Sequence, residues 1–340
     1  MVTIYDIAKI TGYSAATISR ALSGSSSINQ ETRNRILKAA EVTGYKPNAA
    51  ARSLITKHSK LIGVIVENES FKNGLEHPLF GGILDCFREQ VETSGYDLMY
   101  LSKRLNTNMS YIDHCKYRNV EGILIINSQY DDPEIAKIAA SGIPCVSSNE
   151  FIPGICTVVC ENTMSTRRGV EYLIRKGHRK IGFIGGPFSI RSPASIERLE
   201  GYKQALKGAG IHVEERYIDK GDQWETDSGF AAAQRLFTRS PEITAVMCAS
   251  DTLASGAIQY LQKIGKHVPN DVSIIGFDDS LIASCSNPPL TTFRQNREKI
   301  AKTCAEKLIV AIGGNRGYEI VRIPVEFIER ESVGEVGSRK

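Results

Sequence analysis

The sequence predicts an α/β protein: a small all-α head of helix-turn-helix type, then a larger body of two lobes, each a doubly wound parallel sheet. Three observations carry this. Helix caps and glycine stops follow one another closely through the first 46 residues. From Leu61 the pattern changes to short β-branched runs alternating with amphipathic segments. Charge also divides the chain: residues 1–60 hold nine Lys and Arg against three acids, a net +6 in a chain whose formal charge is +4.

The 340 residues, 41% hydrophobic and 24% charged, suit a globular protein of two or three domains with a sizeable core. No apolar run reaches the ~18 residues that a membrane span needs. The opening Met-Val-Thr-Ile-Tyr-Asp lacks the basic start and apolar run of a secretory signal, so a cytoplasmic location is expected. Eight cysteines are scattered with no Cys-x-x-Cys pair, and Cys156 and Cys160 have no metal-ligand partner at suitable spacing. They read as reduced, mostly buried thiols, with no metal and no cofactor implied. A basic head on a slightly acidic body implies that the head alone meets a polyanion.

In the head, Thr3 followed by Asp6 reads as an N-cap with its carboxylate partner, opening a helix with Ile4, Ile7, Ala8 and Ile10 inward. Gly12 ends it, supplying the positive φ of a tight helix–helix turn. Ser14 caps a second helix, Ala15 to about Leu22, with Ile18 and Leu22 toward the core. Asn29 caps a third, roughly 30–43, with Ile36, Leu37 and Ala40 as its apolar stripe, and Gly44 stops it. In a helix-turn-helix the second helix enters the major groove. Ala15 and Ala16 offer methyl contact to thymine, while Arg20 can reach guanine or a phosphate. From spacing alone, a small basic bundle with no DNA role fits as well.

The run from Thr3 to Leu22, the tripeptide Glu31-Thr32-Arg33 and the stretch Gly44-Tyr-Lys-Pro-Asn-Ala-Ala-Ala-Arg-Ser-Leu54 resemble the lactose-repressor (LacI/GalR) family of bacterial regulators. The resemblance implies that Ala15, Ala16 and Arg20 fall where the family reads bases, with Thr17 and Ser19 near phosphates. The candidate DNA-binding set is Thr3, Tyr5, Ser14, Ala15, Ala16, Thr17, Ser19, Arg20, Asn29, Tyr45, Asn48, Ala51 and Leu54.

Residues 47–58 form the expected hinge. Pro47 can start a helix, but the nine residues from Asn48 to Thr56 are too few to hold one alone in water. The resemblance implies a segment that folds on operator DNA, with Leu54 wedged into the minor groove. A passive linker is the plainer alternative.

In the body, strands are expected at 61–66, 97–101, 122–126, 144–147, 180–184, 245–248 and 272–276. Helices are expected at 79–93, 164–175, 196–207, 227–237, 252–263 and 297–312. Apolar strands alternating with helices mean parallel sheets covered on both faces, and the series is too long for one sheet. The segments Gly177–Gly186, Arg198–Tyr202, Ser250-Asp251, Gly276–Asp279 and Pro289–Thr292 extend the resemblance over nearly the whole chain. It implies a periplasmic-binding-protein-like body at 59–340, crossing between lobes near 160, 291 and 321. Lobe 1 is then about 61–160 and 292–320, and lobe 2 about 161–290 and 321–332.

Ligands of open α/β sheets bind beyond the carboxyl ends of strands. Ser70, Asn127, Asn149, Ser250 and Asp278 follow strands, Arg198 lies early on a helix, and Trp224 is the only tryptophan. Amide, carboxylate and guanidinium groups around aromatic rings suit a polyol, whose hydroxyls donate and accept while its C–H face stacks. The resemblance places Phe80, Asn149, Arg198, Trp224, Ser250 and Asp278 in the cleft. The candidate effector-binding set is these six with Ser70 and Asn127. Asp251 and Asp279 read equally as structural caps, and His178 as structural. Two departures bear on ligand choice: Asn149-Glu150 stands where the family often has Asp-Arg, and residues 71–77 lengthen the loop at the cleft mouth.

The function implied is a sugar-responsive repressor of carbohydrate-utilisation genes, a homodimer on pseudo-palindromic operator DNA. The alternatives are a nucleobase-responsive, co-repressed regulator of the same family and a cytoplasmic solute-binding protein. An enzyme is not expected: there is no Gly-x-Ser-x-Gly, Walker loop or His-x-x-x-His, and the adjacent acids Asp131-Asp132 and Asp278-Asp279 do not suit one catalytic centre.

Overall fold

A computed structural model describes residues 2–23, 25–45, 58–66, 77–101, 109–126, 128 and 132–336. The chain divides into two compact units, residues 1–60 and 61–340.

The first unit holds α1 (Ile4–Thr11), α2 (Ala15–Leu22) and α3 (Gln30–Thr43) around Ile7, Ile18, Ala21 and Ile36. The expected signals act as read. The Thr3 N–H and hydroxyl both donate to Asp6, at 2.8 and 2.7 Å. Ser14 accepts from the N–H of Thr17 at 3.1 Å, and Asn29 from that of Thr32 at 2.8 Å. Gly12 and Gly44 are left-handed, with φ of 77° and 66°. Two inward assignments are corrected: Ile10 is 58% exposed and Leu37 46%. At 100° per residue, Ile7 with Thr11, and Ile36 with Ala40, already fill the narrow inner face, so their neighbours turn outward. The Thr11 hydroxyl bonds back to the Ile7 carbonyl and is buried there.

The second unit runs β1 (Leu61–Ile65), α4 (Pro78–Thr93), β2 (Asp97–Tyr100), α5 (Tyr111–Arg118), β3 (Gly122–Ile126), α6 (Pro133–Ala140), β4 (Cys145–Ser148), β5 (Cys156–Cys160) and α7 (Asn162–Arg175). It continues with β6 (Ile181–Gly185), α8 (Pro193–Gly208), β7 (Ile218–Lys220), α9 (Thr226–Arg239), β8 (Ala245–Cys248), α10 (Asp251–Lys263), β9 (Ser273–Ile275) and α11 (Leu281–Cys285). β10 (Thr292–Gln295), α12 (Arg297–Ile312), β11 (Ile320–Ile323) and β12 (Val325–Ile328) complete it.

Lobe 1 is a parallel sheet in the order β11-β5-β4-β3-β1-β2, and lobe 2 a parallel sheet in the order β7-β6-β8-β9. Both faces of the first sheet are buried. Val64, Leu124 and Val158 pack under α4 and α12, while Ile65, Ile123 and Ile125 pack under α5 and α6. One apolar cluster running from Val170 to Phe293 fills lobe 2. β10 and β12 pair antiparallel, and residues 291 and 294 bridge to Ile275 and Asp278, extending the lobe 2 sheet.

The chain therefore passes between lobes at about 161, 296 and 324, the last two some residues later than expected. Pairing decides this: Phe293 is buried in the lobe 2 core, while β11 pairs with β5. Each of the expected strands and helices of the body is present. β5, β7, β10, β11, β12, α5, α6 and α11 were not expected. Among the described residues, no helix is long and apolar enough to cross a membrane.

Candidate functional site

Two regions gather the residues singled out from the sequence, one on each unit. On the head, Ser14 accepts the Thr17 N–H at the start of α2 and bonds the Thr17 hydroxyl at 2.9 Å. This fixes the first turn of α2. Ala16 and Arg20 are exposed and Ala15, Thr17 and Ser19 half-buried, so the helix presents small and basic groups beside its buried Ile18 and Ala21. Thr3, Tyr5 and Asn29 are exposed and Tyr45 half-buried. Thr3, Ser14 and Asn29 all serve as caps, so their side chains hold the helix ends as well as facing outward. Asn48, Ala51 and Leu54 lie outside the described residues, as does the hinge segment except its last residue.

On the body, a cavity is lined from both lobes. Lobe 1 gives His77, Leu79 and Phe80 from the start of α4, and Asn149 just beyond β4. Lobe 2 gives Ser192, Ala194 and Arg198 from the start of α8, Trp224 before α9, and Ser250 and Thr252 at the start of α10. Asp278 beyond β9 and Gln295 at the end of β10 complete the lining. All lie at carboxyl ends of strands or amino ends of helices, where backbone N–H groups are left without helical partners. The structure brings together Phe80, Asn149, Arg198, Trp224, Ser250 and Asp278. Ser70 and Asn127 lie outside the described residues.

Local chemistry holds each side chain in place. Asn149 is left-handed, at φ 61°, a conformation asparagine tolerates better than most residues. Asp278 and Asp279 also have positive φ, 112° and 50°, which sends the two adjacent carboxylates apart. Asp278 faces the cavity, while Asp279 is taken by Arg294 at 2.7 Å and Arg330 at 2.6 Å. Asp251 turns inward: it accepts the Thr292 hydroxyl at 2.6 Å and the Ser280 N–H at 2.7 Å. Asp251 and Asp279 thus hold the loops that carry Asp278. His178 bonds Thr244 at 3.0 Å and the Gly334 carbonyl at 3.2 Å, a structural tie.

Arg198 is buried over the Phe277 ring, 3.6 Å from its centroid. Its Nε donates to Asn162 Oδ1 at 2.8 Å. Its Nη1 donates to the Ala249 carbonyl and lies 3.6 Å from Asp278 Oδ1. Burial raises the Asp278 carboxyl, and Arg198 opposes that rise. Burial, then the nearby Asp278 carboxylate, raises Asp251 further. Arg198, 3.6 Å away, favours the charged form of Asp278.

Trp224 is fixed from two sides. Its carbonyl accepts the Thr252 hydroxyl at 2.9 Å, and Ser250 caps α10 while bonding the same hydroxyl. Gly186 lies against the indole so closely that a Cβ there would sit 2.4 Å from a ring atom. The glycine run ending at Gly186, read from sequence as a strand end and turn, thus also makes room for the ring.

Sequence reasoning missed His77, Leu79, Ser192, Ala194, Thr252 and Gln295. One signal was available: His77-Pro78 and Ser192-Pro193 are both cap residues before a proline that opens a helix. His77 Nδ1 accepts from the N–H groups of Leu79 and Phe80 at 3.3 and 3.4 Å, which puts the ring proton on Nε2. Burial, then the charge of Arg297, holds this imidazole neutral, its pKa lowered to about 4. The ring stacks on Phe80 with centroids 4.4 Å apart.

Glu150, beside Asn149, is 1% exposed. One carboxylate oxygen accepts the Ser128 hydroxyl at 2.6 Å, and the other is buried with no partner. Burial pushes its pKa up to about 7. Close by, the Phe151 N–H donates to the Arg191 carbonyl at 2.8 Å, tying lobe 1 to the loop before α8.

Comparison with known proteins covers both units. Residues 3–48 match the family described as bacterial regulatory proteins, lacI family, and residues 170–333 match the periplasmic binding protein-like domain. The chain is 31% identical to the HTH-type transcriptional regulator CelR of Thermobifida fusca, over 97% of this chain and 98% of that one. It is 31% identical to the HTH-type transcriptional repressor PurR of Escherichia coli O1:K1, over 98% of both chains. Among solved structures, a CelR–cellobiose complex superposes with a TM-score of 0.72 at 28% identity, covering 98% of this chain and all of that one. A lac repressor dimer bound to operator and the anti-inducer ONPF shares the fold, with a TM-score of 0.80 at 24% identity over 98% and 99% of the two chains.

Proposed function

Since this chain belongs to the lacI family of bacterial regulatory proteins and is a ligand-responsive, DNA-binding regulator, we propose that it represses carbohydrate-utilisation genes and that a small sugar between its lobes changes its hold on an operator. The observation that carries this is the cavity. Six side chains nominated from the sequence, contributed by both lobes, line one cavity. Phe80 and Trp224 offer ring faces, and Asn149, Ser250 and Asp278 offer hydrogen-bonding groups, the pairing a sugar needs. A relative solved with cellobiose supports the same reading.

A ligand touching both lobes favours the lobe arrangement that it fits best. It shifts DNA affinity by no more than its difference in affinity for the two arrangements. Two heads in a homodimer suit a pseudo-palindromic operator, with α2 in the major groove and Leu54 of each hinge in the minor groove. In that placement Ala15, Ala16 and Arg20 face base edges. Thr3, Tyr5, Ser14, Thr17, Ser19, Asn29, Tyr45, Asn48 and Ala51 hold the backbone or its flanks. In this reading the protein acts in the cytoplasm, and as a regulator rather than an enzyme, in keeping with the transcriptional regulators to which it is similar.

The test is a gel-shift titration of the intact protein on sites enriched from a random palindromic pool, with and without a panel of sugars and nucleobases. The expected result is a sequence-selective shift that one sugar abolishes or strengthens. No selective shift would sink the DNA-binding part. A response to a nucleobase alone would sink the sugar part.

A further inference from the structure

A chain of hydrogen bonds starts at the cavity wall in lobe 2 and ends on lobe 1, where the backbone crosses between them. Arg322 lies on β11, and Glu197 lies on α8 next to Arg198. Arg322 Nη1 donates to Glu197 Oε2 at 3.0 Å and Nη2 to Oε1 at 2.5 Å. β11 belongs to the lobe 1 sheet, while α8 packs into the lobe 2 core through Tyr202, Ala205 and Leu206, so this ion pair spans the lobes. The ion pairs of Asp278, Asp279, Arg294 and Arg330 instead stay within lobe 2.

Asn162, the first residue of α7 and 1% exposed, joins the pair to the cavity. Its Nδ2 donates to Glu197 Oε2 at 3.1 Å and to the Cys160 carbonyl at 3.2 Å, and its Oδ1 accepts from Arg198 Nε at 2.8 Å. Arg198 can only donate and the Glu197 carboxylate accepts, so this amide cannot flip without losing both contacts. Arg198 in turn lines the cavity. Asn162 follows the first crossing and Arg322 precedes the third. There the chain already fixes how far apart the lobes lie. A bidentate pair adds a constraint on their angle, because both bonds need the two planar groups aligned.

We propose that Glu197 and Arg322 are positioning residues of the effector response: their pair holds the lobes at the angle seen here, and through Asn162 it fixes Arg198 in the cavity wall. The link to the effector rests on the cavity being its site; the hold on the lobe angle does not. A ligand touching both lobes binds the fraction of molecules already at that angle, so losing the pair weakens a ligand that never touches it. Glu161 also acts on Arg322 by its charge, so Arg322→Gln, which removes the cation from both acids, is the sharper variant.

Trp224, the only tryptophan, is 7% exposed in the cavity wall, so acrylamide quenching of its emission in the intact, ligand-free protein reports opening of the lobes. Arg322→Gln should raise the quenching constant at least about twofold, and Arg322→Lys, which keeps the charge, by less. Glu197→Gln combined with Arg322→Gln should match Arg322→Gln alone, because the two act as one pair. Wild-type quenching in a folded Arg322→Gln, whatever its midpoint in urea, makes the pair merely structural and overturns the proposal. Should that variant fail to fold, Glu197→Gln carries the same expectation and the same refutation.

Titration of both proteins with glucose, galactose, lactose, cellobiose and trehalose tests the link to the effector. A sugar that saturably changes wild-type emission should bind Arg322→Gln at least about twofold more weakly. Equal affinity overturns the coupling. If none of the sugars binds the wild type, the sugar reading fails, while the quenching comparison still decides whether the pair sets the lobe angle.

Discussion

Glu150 shows how one residue can carry a pH dependence that no neighbour in sequence announces. Its carboxyl has an ordinary value of 4.5 and is raised to about 7 in the fold, first by burial, with Ser128 and Arg191 only partly opposing. A raised acid stabilises the fold while it is protonated. That contribution is complete below about 4.5 and is lost as the pH rises through about 7. Glu150→Gln should therefore leave the stability of the body nearly unchanged at pH 4.5 and raise it at pH 8, by about 3 kcal/mol at most. An equal effect at both pH values, measured by thermal melts across that range, would show that ionisation plays no part. Trp224 makes a different point at the same scale. Its ring can lie where it does only because Gly186 has no side chain.

At the scale of elements, the way α9 meets α10 controls the cavity from behind. Gly256 on α10 lies so near the backbone of α9 that a Cβ would sit 2.0 Å from the Thr226 carbonyl oxygen and 2.5 Å from the Phe230 nitrogen. Both obstacles are backbone, so neither can rotate away. Gly256→Ala must push the helices apart, at a cost of about 3 kcal/mol. Because Thr226 stands two residues after Trp224, the shift should also weaken effector binding. Urea unfolding together with Trp224 emission checks both effects, and wild-type stability in the variant would refute the close approach. The same scale shows which elements were legible. α2 and α3 announce themselves by Ser14, Asn29 and Gly44, whose roles depend only on neighbours within four residues. β5 and β11 do not. Each is a short run that pairs with the other across more than 150 residues, and β11 has no other strand partner among the described residues. α5 was overlooked because its Tyr-Ile-Asp-His-Cys-Lys-Tyr-Arg run is largely polar, although Ser110 caps it at 3.1 Å.

For the whole molecule, the uneven charge sets an expectation about DNA. The head carries the chain's net positive charge, so each phosphate contact should release counterions and binding should weaken steeply with salt. A pair of heads should give a log–log slope of about −4 to −8 between 50 and 300 mM salt, at roughly 0.9 per phosphate contact. Binding measured by fluorescence anisotropy that barely changes over that range would remove the electrostatic part of the proposal.

The sequence by itself determined what depends on near neighbours: caps and glycine stops in the head, alternation of strands and helices in the body, and the placing of basic charge at one end. Through its resemblance to a family it also nominated most of the cavity residues. Only the tertiary structure decided how those groups meet. It moved the second and third passages between lobes to about 296 and 324, because Phe293 joins the lobe 2 core and β11 pairs with β5. It turned Asp278 toward the cavity and Asp279 away from it, and it brought Gln295 to Asp278 with one oxygen unmet. These are contacts between residues distant in the chain, fixed by packing and by the need to satisfy buried polar groups. No local pattern encodes them.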